Sequence, residues 1–291
     1  MTFLAIPWFR LDPWHIPLPF EIFGLDSIPI QPFGVLVAIG VLISMRVGEW
    51  FGKLEGVSQS LMADLATHVV VTGFLCAYFL NALFYEPDVF LEVLTNPTLL
   101  FKRYLGLSSY GGLIGGLLGV IIWQWRRLQP FMFALDAGSF SFPIAFFFGR
   151  TGCFVVHDHP GLVTDFALAV QDYHVGSPPY ETRHDLGLYE AICAFFITVL
   201  FFILRRKRRP YGFYAALLPI LYAPVRFSLD FLRIPPSQGG DTRYLGLTPA
   251  QYASMAFFTF GVAIAIMTYR RCQRGEPYGK QVSLPMPKPS K

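Results

Sequence analysis

The chain has 291 residues, of which 54% are hydrophobic and 17% aromatic, while only 14% are charged. A soluble domain carries roughly 25% charged residues, and the mean hydropathy of +0.47 points the same way. Disorder, a disulfide scaffold and a nucleic-acid-binding surface are excluded, with only four scattered cysteines and no Cys-x-x-Cys, and a polytopic membrane protein is favoured.

The first twenty residues, MTFLAIPWFRLDPWHIPLPF, lack a basic leader and a continuous apolar core, so they do not read as a signal peptide. Trp8 and Trp14 suit an arm lying at the membrane interface, where indole rings settle. Apolar runs near the ~20 residues needed to cross a bilayer then predict seven helices, over 28–47, 65–85, 107–125, 131–148, 186–204, 212–231 and 249–269. The expected fold class is all-α, with seven transmembrane helices. The expected division is an interfacial arm over 1–27, a membrane domain over 28–269 and a basic, proline-rich cytoplasmic tail over 270–291. Two longer loops, 86–106 and 151–185, fall on one side, and the second forms an outer loop domain between the fourth and fifth helices. Placing the N terminus outside puts Arg46, Lys53, Arg126, Arg127, the run 205–209 and the tail on the other side, together fifteen of the 23 Lys and Arg. The positive-inside rule therefore predicts N-out, C-in. No internal repeat of the kind common in secondary transporters is visible.

An ioniser inside a span costs about 2.5–3.5 kcal/mol on insertion scales, so each one needs a reason. The candidates are His68, Asp136, Arg150, Glu190, Arg226 and Asp230. All but His68 and Asp136 fall in the outer half of the expected topology, which describes a polar cavity opening to the outer leaflet. Arg226 and Asp230 are four apart and share a helix face. They either neutralise each other, or Arg226 also binds a ligand phosphate. Arg150, after FPIAFFFGR, reads as an interfacial anchor or as a second phosphate-binding group. In LSSYGGLIGGLLG, Gly111, Gly115 and Gly119 repeat at four-residue spacing, as close helix packing requires. Ser108, Ser109 and Tyr110 put hydroxyls at the mouth of that groove. His157, Asp158 and His159 form a cluster, with His184 and Asp185 later in the same loop. They match no recognised zinc spacing, so no metal site is expected, and acid–base work or plain loop polarity is the reading.

The blocks SSYGGLIGG, GRTGCF, RHDLGLYE and YAPVRFSLDFLR followed by LTPAQY occur in the order seen in prolipoprotein diacylglyceryl transferases, and the chain resembles that family over roughly residues 29–269. The resemblance implies a bacterial inner-membrane enzyme with no cofactor and its site towards the outer leaflet. Its partners would be phosphatidylglycerol and the signal peptides of preprolipoproteins. It moves the diacylglyceryl group onto the lipobox cysteine thiol, forming a thioether and releasing glycerol phosphate. The family's essential arginines fall on Arg150 and Arg226, and its glycine-rich groove on Gly111 and Gly112. Its tyrosine–glutamate pair falls on Tyr189 and Glu190, and its acidic partner on Asp230. The acidic residue and terminal glycine of its signature fall on Asp158 and Gly161. Tyr110 stands where the family usually has a histidine, Cys153 and Val156 stand for two asparagines, and Tyr78 for an arginine. The thiol-activating base is therefore open between His157 or His159, Tyr110 and Glu190. A relative using the same lipid clamp on another acceptor, and a non-catalytic lipid-binding or transport protein, are the alternative readings.

Overall fold

The structure, a computed structural model, describes residues 5–7, 11, 13–22, 25–85, 108–172, 181–238, 240–276 and 278. Trp8, the expected loop over 86–106 and most of the expected tail lie outside these residues. Among the described residues seven α-helices follow in order: α1 Pro32–Leu54, α2 Gln59–Tyr85, α3 Ser109–Arg127, α4 Phe131–Val156, α5 Leu186–Arg205, α6 Phe213–Leu229 and α7 Pro249–Gln273. Six are long and apolar enough to cross a membrane, α3 being the exception. Its five glycines, Gly111, Gly112, Gly115, Gly116 and Gly119, dilute the apolar run. The helices turn large apolar side chains outward, among them Leu42, Leu75 and Phe196, each 64% exposed. That is the surface of a polytopic membrane protein, whose solvent is lipid.

The expectation of an all-α chain is corrected by five strands among the described residues. Strands β1 (Trp14–Ile22) and β2 (Leu25–Ile30) form an antiparallel hairpin that delays α1 to Pro32. The prolines at 17, 19 and 29 stop a helix, but a two-stranded ribbon has free edges that tolerate them. Strands β3 (Pro160–Val163), β4 (Val170–Asp172) and β5 (Glu181–Asp185) form an antiparallel sheet in the order β3-β5-β4. Ile6 bridges onto Val170 at one edge of this sheet, and Gly161 bridges onto Arg233 at the other.

Glycines set how closely the helices approach. A Cβ on Gly111 would lie 2.6 Å from Ala77 Cα, and one on Gly119 would lie 2.5 Å from Thr72 Oγ1. One on Gly115 would run into the Thr72 carbonyl, so this ridge lies on the α2 backbone. Thr72 Oγ1 donates to the Gly115 carbonyl at 2.7 Å across the contact. Gly40 does the same for α1 on α4, where a Cβ would meet Phe148 at 2.7 Å. An aromatic core of Phe51, Phe133, Phe140, Phe201 and Tyr214 fills the space between α1, α4, α5 and α6. Phe140 and Tyr214 meet edge to face at 5.0 Å, a geometry favoured by the ring quadrupoles.

At this end of the bundle Asp136 is buried and accepts the backbone N–H groups of Gly212 and Ala215, each at 2.8 Å. It caps the N terminus of α6 from a neighbouring helix, satisfying donors the helix cannot satisfy itself. Asp136, flagged in the sequence as an ioniser inside a span, is compensated as a helix cap. His68 sits towards the same end, beside Asp64 and Arg126.

Candidate active site

At the opposite end, α4 and α6 finish and α5 begins. Helix α4 runs to Val156, eight residues beyond the end expected from hydropathy, so Arg150 and Cys153 are helical and not in a loop. His157 then takes a left-handed conformation at φ 50° and turns the chain into the sheet. Its Nδ1 pairs with Asp185 Oδ2 at 2.9 Å, while Asp185 Oδ1 accepts the Leu188 N–H at 2.8 Å. One carboxylate thus joins the last turn of α4 to the first turn of α5.

That junction brings the expected residues together. Arg150 Nε lies 3.1 Å from Glu190 Oε2, and Arg226 Nε lies 3.7 Å from Glu190 Oε1. Arg226 NH1 donates to Asp230 Oδ1 at 2.7 Å, and Arg233 Nε lies 3.2 Å from the same oxygen. Arg233 also pairs with Asp241. The result is an alternating chain, Arg150–Glu190–Arg226–Asp230–Arg233–Asp241. Glu190 and Asp230 are both 0% exposed, whereas the Asp241 side chain is open to solvent at 41%. Four members, Arg150, Glu190, Arg226 and Asp230, are buried and their charges balance, while Arg233 is partly exposed. Phe146 lies under the Arg150 guanidinium at 5.0 Å, a contact that suits a weakly hydrated planar cation.

Several members escape the sequence reading. The Tyr222 hydroxyl donates to Glu190 Oε2 at 2.5 Å; its spacing of four from Arg226 was the available signal, since it puts both on one face of α6. Arg233 and Asp241 had none beyond their charge. Thr248 is the N-cap of α7, forms a capping box with Gln251, and also donates to Asp230. The LTPAQY block is therefore a helix start tied into the charge chain.

Other expected site residues lie elsewhere or act differently. Glu190 bridges both guanidiniums and accepts from Tyr222, an arrangement for holding them in place. Gly111 is buried against α2 in the helix-packing role that its four-residue spacing suggested; Gly112, one position round, is half-buried with Ala77 Cβ only at 4.0 Å. The side chains of Ser109 and Tyr110 lie outside the described residues. Gly161 packs where β3 meets the segment of Arg233, and a Cβ there would fall 2.7 Å from the Leu232 carbonyl. Tyr189 and His184 share a hydrogen bond at 2.9 Å, and burial holds the His184 imidazole below its ordinary pKa.

The two histidines of the cluster part company. His157 is engaged by Asp185. His159 pairs through Nδ1 with Asp158, and both lie beside Cys153, whose Sγ is 4.0 Å from Arg150 NH1.

The sequence model of a family described as prolipoprotein diacylglyceryl transferase matches residues 20–267. A Pseudomonas aeruginosa (strain LESB58) protein is 31% identical over 254 residues, covering 85% of this chain and 92% of its own length. A Teredinibacter turnerae protein is 29% identical over 271 residues, covering 90% and 92%. A Campylobacter hominis protein is 26% identical over 295 aligned positions, covering 97% and 100%. All three bear the name phosphatidylglycerol–prolipoprotein diacylglyceryl transferase.

Proposed function

The chain belongs to the prolipoprotein diacylglyceryl transferase family, and from that premise we propose that it moves the diacylglyceryl group of phosphatidylglycerol onto the lipobox cysteine thiol of a preprolipoprotein. The observation that carries this reading is the meeting of Arg150 and Arg226, from two helices, on one buried carboxylate. A buried ion pair alone returns little of its desolvation cost. Two guanidiniums from separate helices, held side by side by that carboxylate, offer planar paired donors that suit the oxygens of a phosphodiester.

In the reaction the thiol sulfur attacks the glyceryl carbon that carries the phosphate. A carbon–sulfur bond forms, the carbon–oxygen bond breaks, and glycerol phosphate leaves with the electron pair. Charge grows on the departing phosphate, where Arg150 and Arg226 stabilise it more in the transition state than in the ground state. Glu190 and Tyr222 hold the guanidiniums, and Asp230 with Thr248 and Arg233 holds Arg226 from the far side. The thiol proton goes to His159, oriented by Asp158, because the thiolate is the nucleophile and a free cysteine titrates near ~8.5. Both substrates reach the site laterally, so the bilayer has already removed much of their orientational freedom.

The arrangement in the membrane belongs to the same proposal: seven spans, N-out and C-in, in the bacterial inner membrane. The arm 1–27 and the outer sheet stand at the external surface, the domain 28–269 spans, and the tail 270–291 lies inside. Tandem mass spectrometry of a lipobox peptide, incubated with purified protein and phosphatidylglycerol, tests the reaction. A diacylglyceryl thioether on the cysteine is the expected product. Lipid turnover with an unmodified cysteine would instead establish a different acceptor, a reading that Cys153 and Tyr110 favour because they depart from the family pattern. Lipid binding with no turnover would overturn both.

A further inference from the structure

Beside Arg150, Cys153 Sγ, a carboxylate oxygen of Asp158 and a ring nitrogen of His159 all lie within 4.8 Å of one another. The local fold produces this trio. In a continuing helix Asp158 would sit about 140° round from Cys153; the left-handed turn at His157 folds 158 and 159 back over the last turn of α4. Cys153 is buried, while Asp158 and His159 remain accessible, so an ion has a path in. We propose that these three side chains form a binding site for zinc(II).

A thiolate, an imidazole and a carboxylate are the donor types zinc selects, and three protein ligands leave a fourth position open. Ligand atoms around a tetrahedral zinc stand roughly 3.5 Å apart, so the trio needs to close by only about 1 Å. On binding, the thiol proton passes to solvent. The thiolate and carboxylate then balance the ion's two charges, and the nearby Arg150 already has Glu190 as its counter-ion. The site was hidden from sequence spacing because its sulfur ligand lies in a helix and its other two in the turn that follows.

Zinc at this position occupies the lone pair of His159, so the site inhibits transfer; this consequence, unlike the binding itself, rests on the proposed function. The test is a titration of the metal-free, full-length protein in detergent with cobalt(II), which reports tetrahedral and thiolate coordination spectroscopically. A single equivalent should give visible bands and a near-ultraviolet thiolate charge-transfer band, both displaced by zinc. Cys153→Ser should lose the charge-transfer band. His159→Gln should keep it but bind roughly tenfold or more weakly. No band in the wild type, or one that persists in Cys153→Ser, overturns the site. In the transfer assay Cys153→Ser should remain active and become about tenfold or more less sensitive to zinc. Equal inhibition of both proteins refutes the inhibitory role. Should the wild type show no transfer at all, the proposed function fails while the cobalt titration still decides the site.

Discussion

Replacing Glu190 by Gln removes charge from the centre of the site while keeping its shape. The carboxylate is fully buried, meets Arg150 at 3.1 Å and Arg226 at 3.7 Å, and accepts the Tyr222 hydroxyl at 2.5 Å. Removing one partner of a buried ion pair costs about 3–5 kcal/mol, because it leaves an uncompensated charge. Here two guanidiniums lose their shared anion. Arg226 keeps Asp230 at 2.7 Å, and the amide oxygen still accepts one hydrogen bond, so the lower end applies, about 3 kcal/mol. For a chain of this size that lowers the melting temperature by roughly 6–12 °C. The effect on transfer should be larger in proportion. The guanidiniums must sit where the phosphate charge develops, and a shift of about 1 Å costs on the order of 100-fold in rate. Tyr222→Phe, which removes a single hydrogen bond to a charged group, should cost only about 1.5–3 kcal/mol. Thermal melting in detergent and initial transfer rates measure both variants. A Glu190→Gln protein that melts within about 2 °C of wild type and transfers within about twofold of its rate would refute the idea that this carboxylate organises the clamp.

Packing on α3 makes a paired prediction. Gly115→Ala drives a methyl into the Thr72 carbonyl and should destabilise by about 1–3 kcal/mol, whereas Gly116→Ala, with Val69 Cγ1 at 3.7 Å, should be tolerated; melting curves distinguish them. Asp136→Ala strips two backbone N–H groups of their acceptor and should cost about 1–3 kcal/mol in unfolding experiments. His184 is held below its ordinary pKa by burial, so the unfolded chain binds the proton more readily than the folded one. Its contribution is intact above about 6.5 and is lost as pH falls from there towards the lower folded value. Hydrogen exchange in β3–β5 should therefore accelerate across that interval, and His184→Gln should flatten the response.

What the sequence disclosed follows from what each signal measures. Helix existence was legible because an uncharged apolar run of bilayer length is costly anywhere but in lipid, and the expected starts of α4, α5 and α7 coincide with the observed ones. The end of α4 was not, since hydropathy falls at Arg150 although the backbone stays helical to Val156. Charge inside a span flagged Arg150, Glu190, Arg226 and Asp230, because burial of an ioniser demands compensation. Their partners Arg233 and Asp241 lie outside the spans, where charge is ordinary and carries no warning. The glycine ridge was ambiguous by nature: Gly111 and Gly112 are adjacent in sequence yet face different surroundings, and only the register against α2 separates them. The strands were missed because prolines at 17, 19 and 29 argue against a helix without arguing for a hairpin. His157 and His159 looked equivalent until the left-handed turn between α4 and β3 sent one to Asp185 and the other to Asp158 and Cys153.

The most direct test of the account is a double-mutant cycle on the transfer rate, with Arg150→Lys, Arg226→Lys and the pair together. Lysine keeps the charge but loses the planar two-pronged donor, so each single variant should fall on the order of 100-fold. Because both guanidiniums act on one phosphate, the double variant should fall little further than either single one. Losses that multiply in full, or a single variant that retains wild-type transfer, would contradict a shared clamp.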